Sequence, residues 1–172
     1  VIGDGVSYDL ALFSVRVEDE ILPYEIDGRT YYENAARTRR EGIELSLEHF
    51  TTETLTTTVA WTWAQYRFDR FFDEQQGVDV SDNHMPGLPQ HIVFAEAAWR
   101  PQNGFFVIGD VRFASEVYAE NTNQTRIGSH AVVNARFGKR WHFNHQELEL
   151  HAGINNLFDR DYYSNIRINA NS

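Results

Sequence analysis

The chain has 172 residues, 42% of them hydrophobic and 14% aromatic, with a formal net charge of −10. It has no cysteine, which excludes a disulfide framework and thiol chemistry, and its acidic balance argues against a nucleic-acid binder, which needs a basic surface. No apolar run approaches the roughly 20 residues of a membrane-spanning helix, a test that does not bear on a barrel whose strands alternate lipid-facing and lumen-facing residues.

In chain order the sequence reads as about seven extended segments of period 2, with no 3.6-residue pattern. The first, Tyr8 to Val17, carries apolar residues on both faces, and a long connection is expected from Glu18 to Thr30. The clearest alternation follows: Ile43, Leu45 and Leu47 share one face, and Glu44, Ser46 and Glu48 the other. A strand sorts these residues cleanly, whereas a helix would spread the glutamates around its surface.

After a short turn expected at Phe50 to Thr54, Val59, Trp61 and Trp63 alternate with Thr58, Ala60 and Thr62. A long connection is expected from Asp69 to Gln90. Val93, Ala95, Ala97 and Trp99 then oppose Glu96, and a short turn at Arg100 to Gly104 carries Pro101 and Asn103-Gly104. Phe105, Val107, Gly109, Val111 and Phe113 oppose Asp110 and Arg112; a long connection follows from Ala119 to Ser129. Val133, Ala135, Phe137 and Trp141 oppose Asn134, Arg136, Gly138 and Arg140. A last short turn, His142 to Gln146, leads to Leu148, Leu150, Ala152 and Ile154 opposite Glu149, His151, Gly153 and Asn155.

Short and long connections therefore alternate, as in an up-and-down barrel with periplasmic turns and extracellular loops. A soluble β-sandwich also shows one-sided alternation, but gives no reason for every second connection to be long. Segments of ten or more residues exceed the usual soluble strand of about 5–6 and suit the roughly 9–11 of a tilted spanning strand. Trp99 and Trp141 precede short turns, where an interfacial aromatic belt places them. The expected fold is all-β, an antiparallel up-and-down transmembrane barrel segment. Parity then turns Glu44, Glu48, Glu96, Asp110, Arg112, Asn134, Arg136, Arg140, Glu149 and His151 inward, where mixed charges serve first as a hydrated network. The chain opens on Val1 and closes on the polar run 169–172, so it is expected to be part of a longer protein.

Three stretches carry a family resemblance. Gly153-Ile154-Asn155-Asn156-Leu157-Phe158-Asp159-Arg160-Asp161-Tyr162-Tyr163 resembles the penultimate-strand motif of TonB-dependent outer-membrane receptors. Met85-Pro86-Gly87-Leu88-Pro89-Gln90-His91 is similar to that family's Pro-Gly-x-Pro element at the entry to a descending strand. Asn34-Ala35 with Arg40-Glu41-Gly42-Ile43-Glu44-Leu45 resembles its Asn-Ala…Gly-x-Glu strand. The three occur in family order.

The resemblance implies a plugged barrel of about 22 strands, with residues 1–172 forming part of its C-terminal barrel domain, about seven strands. It implies the outer membrane of a Gram-negative bacterium, outer-membrane lipid as the surroundings, and a ferric siderophore or similar bulky nutrient as cargo. Energy would arrive from TonB through a plug region. The plug, the TonB-contacting segment and a closing strand with a terminal aromatic are not matched within these residues. The rival readings are a passive or structural barrel, such as a porin or adhesin, and a soluble carbohydrate-binding sandwich.

Ligand contact is expected from loops and upper strand ends. Tyr66, Phe68, Arg70, Phe71 and Phe72 lead into the longest loop, Tyr118 and Arg126 flank the next, and Tyr162 and Tyr163 begin the last; Arg112 faces the upper lumen. Aromatic rings with arginines suit stacking and pairing with an anionic iron chelate, although each ring could equally belong to an interfacial girdle. His84 lies near Asp79 and Asp82 without metal-ligand spacing, which reads as a solvated acidic loop. His142 and His145 read as turn surface. There is no phosphate-cradling glycine loop and no Gly-x-Ser-x-Gly elbow. No catalytic residue, cofactor or metal is expected.

Overall fold

A computed structural model describes residues 5–26, 29–74 and 76–169, with the backbone alone at 24–26 and 33–36. Its strands are β1 (Val6–Ile26), β2 (Arg29–Phe50), β3 (Leu55–Arg70), β4 (Phe72–Asp73), β5 (Val78–Asp79), β6 (His91–Trp99), β7 (Phe105–Ala114), β8 (Val117–Tyr118), β9 (Arg126–Ile127), β10 (His130–Phe143) and β11 (Gln146–Ile154). Seven of them form one antiparallel meander in the order β1-β2-β3-β6-β7-β10-β11. These are the seven segments expected from period 2. The pairs β4–β5 and β8–β9 are small ladders folded within the two long loops.

Register turns the alternation into two faces. Leu10, Leu45, Trp61, Val93, Phe113 and Ala131 pair in succession across six strands, and Leu47, Val59, Ala95, Val111 and Val133 across five. Residues directly opposite in a ladder share a side, so this side is a continuous apolar band. The other side carries the row Glu48, Thr58, Glu96, Asp110 and Asn134, of which Glu48, Glu96, Asp110 and Asn134 are inward by sequence parity.

All four tryptophans lie on the apolar face. Trp61 and Trp63 stand toward the long loops, Trp99 and Trp141 toward the short turns. From Val93, the partner of Trp61, to Trp99 is six residues on β6, roughly 20 Å at about 3.4 Å per residue. At a strand tilt of about 35–45° this is a height of about 15 Å, which fits inside an outer-membrane apolar band about 25 Å tall. Above Trp63 the same face becomes polar, with Gln65 opposite Glu41 and Arg67 opposite Arg39.

One expected loop is replaced by strand. The stretch from Glu18 to Thr30 continues the β1–β2 ladder up to Ile26 opposite Arg29. Its register shifts between Val17 and Ile21, beside Asp19 at φ 56°, as a bulge does. Above the apolar band the alternation lapses: Leu22 packs into an apolar cluster under the next loop and Glu20 accepts from Thr38 and Arg40, while Ile21 and Tyr32 stay exposed, and Glu18-Asp19-Glu20 together with Pro23 imitates a loop.

Close strand approach explains two glycines. Phe13 lies opposite Gly42 and Phe106 opposite Gly138. A Cβ on Gly42 would come within 2.6 Å of the Phe13 ring, and one on Gly138 within 2.5 Å of the Phe106 ring, so each phenyl ring covers a bare backbone. In the 100–104 turn, Gly104 adopts φ +83° and donates its N–H to the Pro101 carbonyl at 3.3 Å.

Candidate ligand-binding site at the loop end

The ten expected contact residues separate into distinct settings. Phe68 is fully buried and Phe71 2% exposed; with Leu22, Val80 and Met85 they form a small core, against which Tyr66 packs half-buried. The Phe68 and Phe71 ring centroids are 5.0 Å apart at 48°. Contrary to expectation, these two rings are closed off from a ligand. They anchor the long loop onto β3, because a connection running from residue 71 to 90 with one small ladder, β4–β5, needs its own apolar centre to hold a shape. Arg70, at the end of β3, and Phe72, in β4, stay exposed at the base of that loop.

Tyr118 and Arg126 are used between loops. The Tyr118 ring stacks on His84 at 5.6 Å and 20°, and the Arg126 guanidinium lies 5.0 Å from the Tyr118 ring centroid while pairing with Glu116 at 2.9 Å. Around this stack the β3–β6 and β7–β10 loops are stitched together. The Asn83 side chain donates to the Asn121 carbonyl at 2.9 Å, and the Asn123 side chain exchanges two bonds with the His84 backbone at 2.8 and 2.9 Å. Buried Asn121 donates to Asp73 at 2.9 Å, and Gly87 N–H donates to the Tyr118 carbonyl at 2.8 Å. The Pro-Gly element thus terminates the first loop by bonding to the second.

His84 does not converge with the carboxylates near it in sequence. Its ring faces Gln90 and Tyr118. Partial burial, then the fields of Arg67 and Arg126, hold its pKa below the usual 6.5. Asp79 is held low by hydrogen bonds from the Ser81 hydroxyl and backbone N–H within its own turn.

The remaining three residues come together. Arg112, Tyr162 and Tyr163 line a cavity of about 650 Å³ with His130, Asn134 and Ser115. Arg112 projects from the inward face of β7 with its side chain 72% exposed, 5.8 Å from the Phe94 ring and 3.8 Å from the Asp110 carboxylate. Tyr162 stacks on His130 at 4.9 Å and 22°, and Tyr163 is exposed. The tyrosines arrive because residues 155–169 turn back over β10: Leu157 N–H bonds to the Val133 carbonyl at 2.8 Å and Asn156 N–H to the Asn134 side chain at 3.0 Å. Asn169 N–H reaches the Ala119 carbonyl at 3.0 Å. His130 escaped the sequence reading; its one signal was a position at the first residue of a strand beside a long loop.

A smaller cavity of about 360 Å³ lies at the short-turn end, lined by Arg136, Arg140, Glu149 and neighbours. There Arg140 is already engaged by Glu149 at 2.6 Å and Glu147 at 3.1 Å. The larger space is at the loop end, where Arg112 is held by a single, longer carboxylate contact, to Asp110 at 3.8 Å.

The profile of the family described as "TonB dependent receptor-like, beta-barrel" matches residues 2–157. The chain belongs to this family. Among solved structures, the ferric citrate transporter FecA in its unliganded form aligns with a TM-score of 0.76 at 18% identity, over 94% of this chain and 25% of that one. The ferric-catecholate import receptor Fiu from E. coli K12 aligns with a TM-score of 0.67 at 22% identity, over 94% and 22%. The copper transporter OprC gives 0.70 at 20%, over 94% and 24%. The chain thus spans about a quarter of the length of these receptors. In a TonB-dependent receptor barrel, a family of outer-membrane β-barrels and not of enzymes, the apolar face of the meander is the lipid side and the charged face the lumen side. The short turns and folded loops then mark the two rims.

Proposed function

We propose that residues 1–172 form part of the C-terminal barrel domain of an outer-membrane receptor that captures a ferric siderophore and imports it with energy delivered through TonB. In this reading the segment supplies wall and loops, and no covalent chemistry. The observation that carries it is the loop-end cavity: about 650 Å³, with the exposed Arg112 guanidinium and two tyrosine rings on one lumen-side space. A planar guanidinium pairs with an anionic chelate, and rings at the rim stack on aromatic or apolar parts of it. Ferric citrate and ferric-catecholate receptors among the structural relatives fit the same cargo class.

The test is uptake of radiolabelled ferric siderophore by cells carrying the full-length receptor. Arg112→Ala with Tyr162→Ala should weaken binding by about tenfold or more, a charge-assisted contact and a ring stack being lost, with the receptor still present in the outer membrane. Uptake by the unaltered receptor should cease in cells lacking TonB. Unchanged binding in the double variant would remove the cavity from the account, and TonB-independent uptake would favour a passive barrel.

A further inference from the structure

The chain contains one lysine, Lys139, and it lies on the apolar face. Among the described residues of the seven long strands, no other lysine or arginine occupies that face between the level of Trp63 and the short turns. Lys139 is opposite Phe105 on one side and Leu150 on the other. Phe105 is the first residue of β7, so the lysine stands level with the 100–104 turn, beside Trp99 and Trp141. Its ammonium lies 4.3 Å from the Phe105 ring centroid and 5.5 Å from that of Trp141.

The neighbouring cation makes the contrast. Arg140, one residue on and facing the lumen, is paired with Glu147 and Glu149. Lys139 has no protein hydrogen-bond acceptor or ion pair among the described residues, although an ammonium carries three donors. Its face offers no carboxylate at this level, because Glu147 and Glu149 project to the opposite side. A lysine on the lipid face costs about 2–4 kcal/mol at midplane and about 0–1 near an interface, so its place at the rim is tolerated. Two electron-rich ring faces hold the charge without neutralising it, and a long stem can direct the head toward the headgroup layer. No described residue supplies the counter-charge, and the anion that a bilayer offers at that depth is a lipid phosphate.

We propose that Lys139, set between Phe105 and Trp141 at the short-turn rim, binds the phosphate of one glycerophospholipid in the leaflet adjoining those turns, with its acyl chains along Phe137 and Leu150. This rests on the reading of the apolar face as the lipid side. It deepens that reading by assigning a defined lipid site where a girdle alone requires only unspecific contact.

The test uses the full-length receptor, delipidated in detergent and examined by native mass spectrometry with added phosphatidylglycerol, or with diacylglycerol of the same chains. Phosphatidylglycerol should be retained by the unaltered receptor and by Lys139→Arg, and about tenfold less by Lys139→Ala; diacylglycerol should be retained equally weakly by all three. Heat-modifiable mobility on gels identifies folded barrel in each variant. Equal phosphatidylglycerol retention by the folded Ala and unaltered proteins overturns the site, as does diacylglycerol being retained by the unaltered receptor as well as phosphatidylglycerol is. Preferential displacement by lipopolysaccharide, a lipid of the opposite leaflet, also overturns it. Quenching of tryptophan emission by brominated lipid, in the same receptor returned to vesicles, separates the two levels. Its absence removes the lipid face itself, whereas quenching with equal lipid retention removes only the Lys139 site.

Discussion

The two rims of this sheet are built on different principles. At the short-turn rim a turn such as 100–104 is closed by local geometry, with Gly104 at positive φ, and the outward side chains are tryptophans, Phe105 and Lys139. At the loop rim, order comes from long-range contacts: an apolar centre under the first loop, asparagine bonds between the two loops, and the return of residues 155–169. The first rim is stable because its parts prefer their shape. The second is stable only while its loops hold each other.

This difference can be broken from either side. The largest effect is expected for Phe68→Ala, which empties a fully buried position. Such a truncation costs about 3–5 kcal/mol. The cost should appear as lost hydrogen-exchange protection in the β3–β6 loop, with the apolar band of β6, β7 and β10 still protected. Simultaneous loss across the band would mean that the loop and the wall are one cooperative unit.

Next comes Val111→Arg, which places a charge in the middle of the apolar row Leu47, Val59, Ala95, Val111 and Val133. A cost of about 2–4 kcal/mol is expected in folding titrations of the full-length receptor into lipid vesicles. Thr62→Arg, on the lumen side, should cost far less. Equal costs would erase the distinction between the faces.

A smaller effect, about 1–2 kcal/mol for two hydrogen bonds, is expected for Asn123→Ala, which removes both side-chain bonds to the His84 backbone. Limited proteolysis between residues 119 and 129 should quicken, with no change at the short turns.

The smallest effect concerns His84. Its pKa is lowered in the folded loop, so the folded state binds fewer protons than the unfolded loop as pH falls below the usual 6.5. The stitched loops should therefore be fully stable above about that pH and loosen as the medium becomes acid. Protection factors at residues 84 and 118–126, that is, exchange rates corrected for the intrinsic pH dependence of amide exchange, should fall from pH 7.5 to pH 5.5 in the unaltered protein. They should stay level in His84→Gln.

The wall was readable in advance wherever one face meets lipid. Ile43 to Glu48, Phe105 to Phe113 and Ala131 to Trp141 have the expected strands and faces, because a membrane on one side enforces alternation. Where that constraint ends, the pattern ends: β1 and β2 run on past Val17 through a charged stretch with a proline, and nothing in single-residue chemistry distinguishes it from a loop. The expected contact residues fare unevenly in space. Arg112, Tyr162 and Tyr163 do meet at one cavity. Phe68 and Phe71 have the composition of ligand-stacking rings, but burial depends on Leu22, Val80 and Met85 arriving from elsewhere in the chain, which local sequence does not encode. Lys139 was passed over because parity accounts for apolar residues on a lipid face and has no place for a cation.

The most direct measurement of the two-sided wall exploits the absence of cysteine in these residues. Single cysteines at positions 43 to 48, introduced one at a time into the full-length receptor and spin-labelled in lipid vesicles, can be tested for collision with oxygen and with a water-soluble nickel chelate. Labels at 43, 45 and 47 should collide with oxygen, and those at 44, 46 and 48 should not, giving a period of two along β2. A flat profile, or oxygen accessibility on the glutamate face, would contradict a barrel wall with Ile43, Leu45 and Leu47 in lipid.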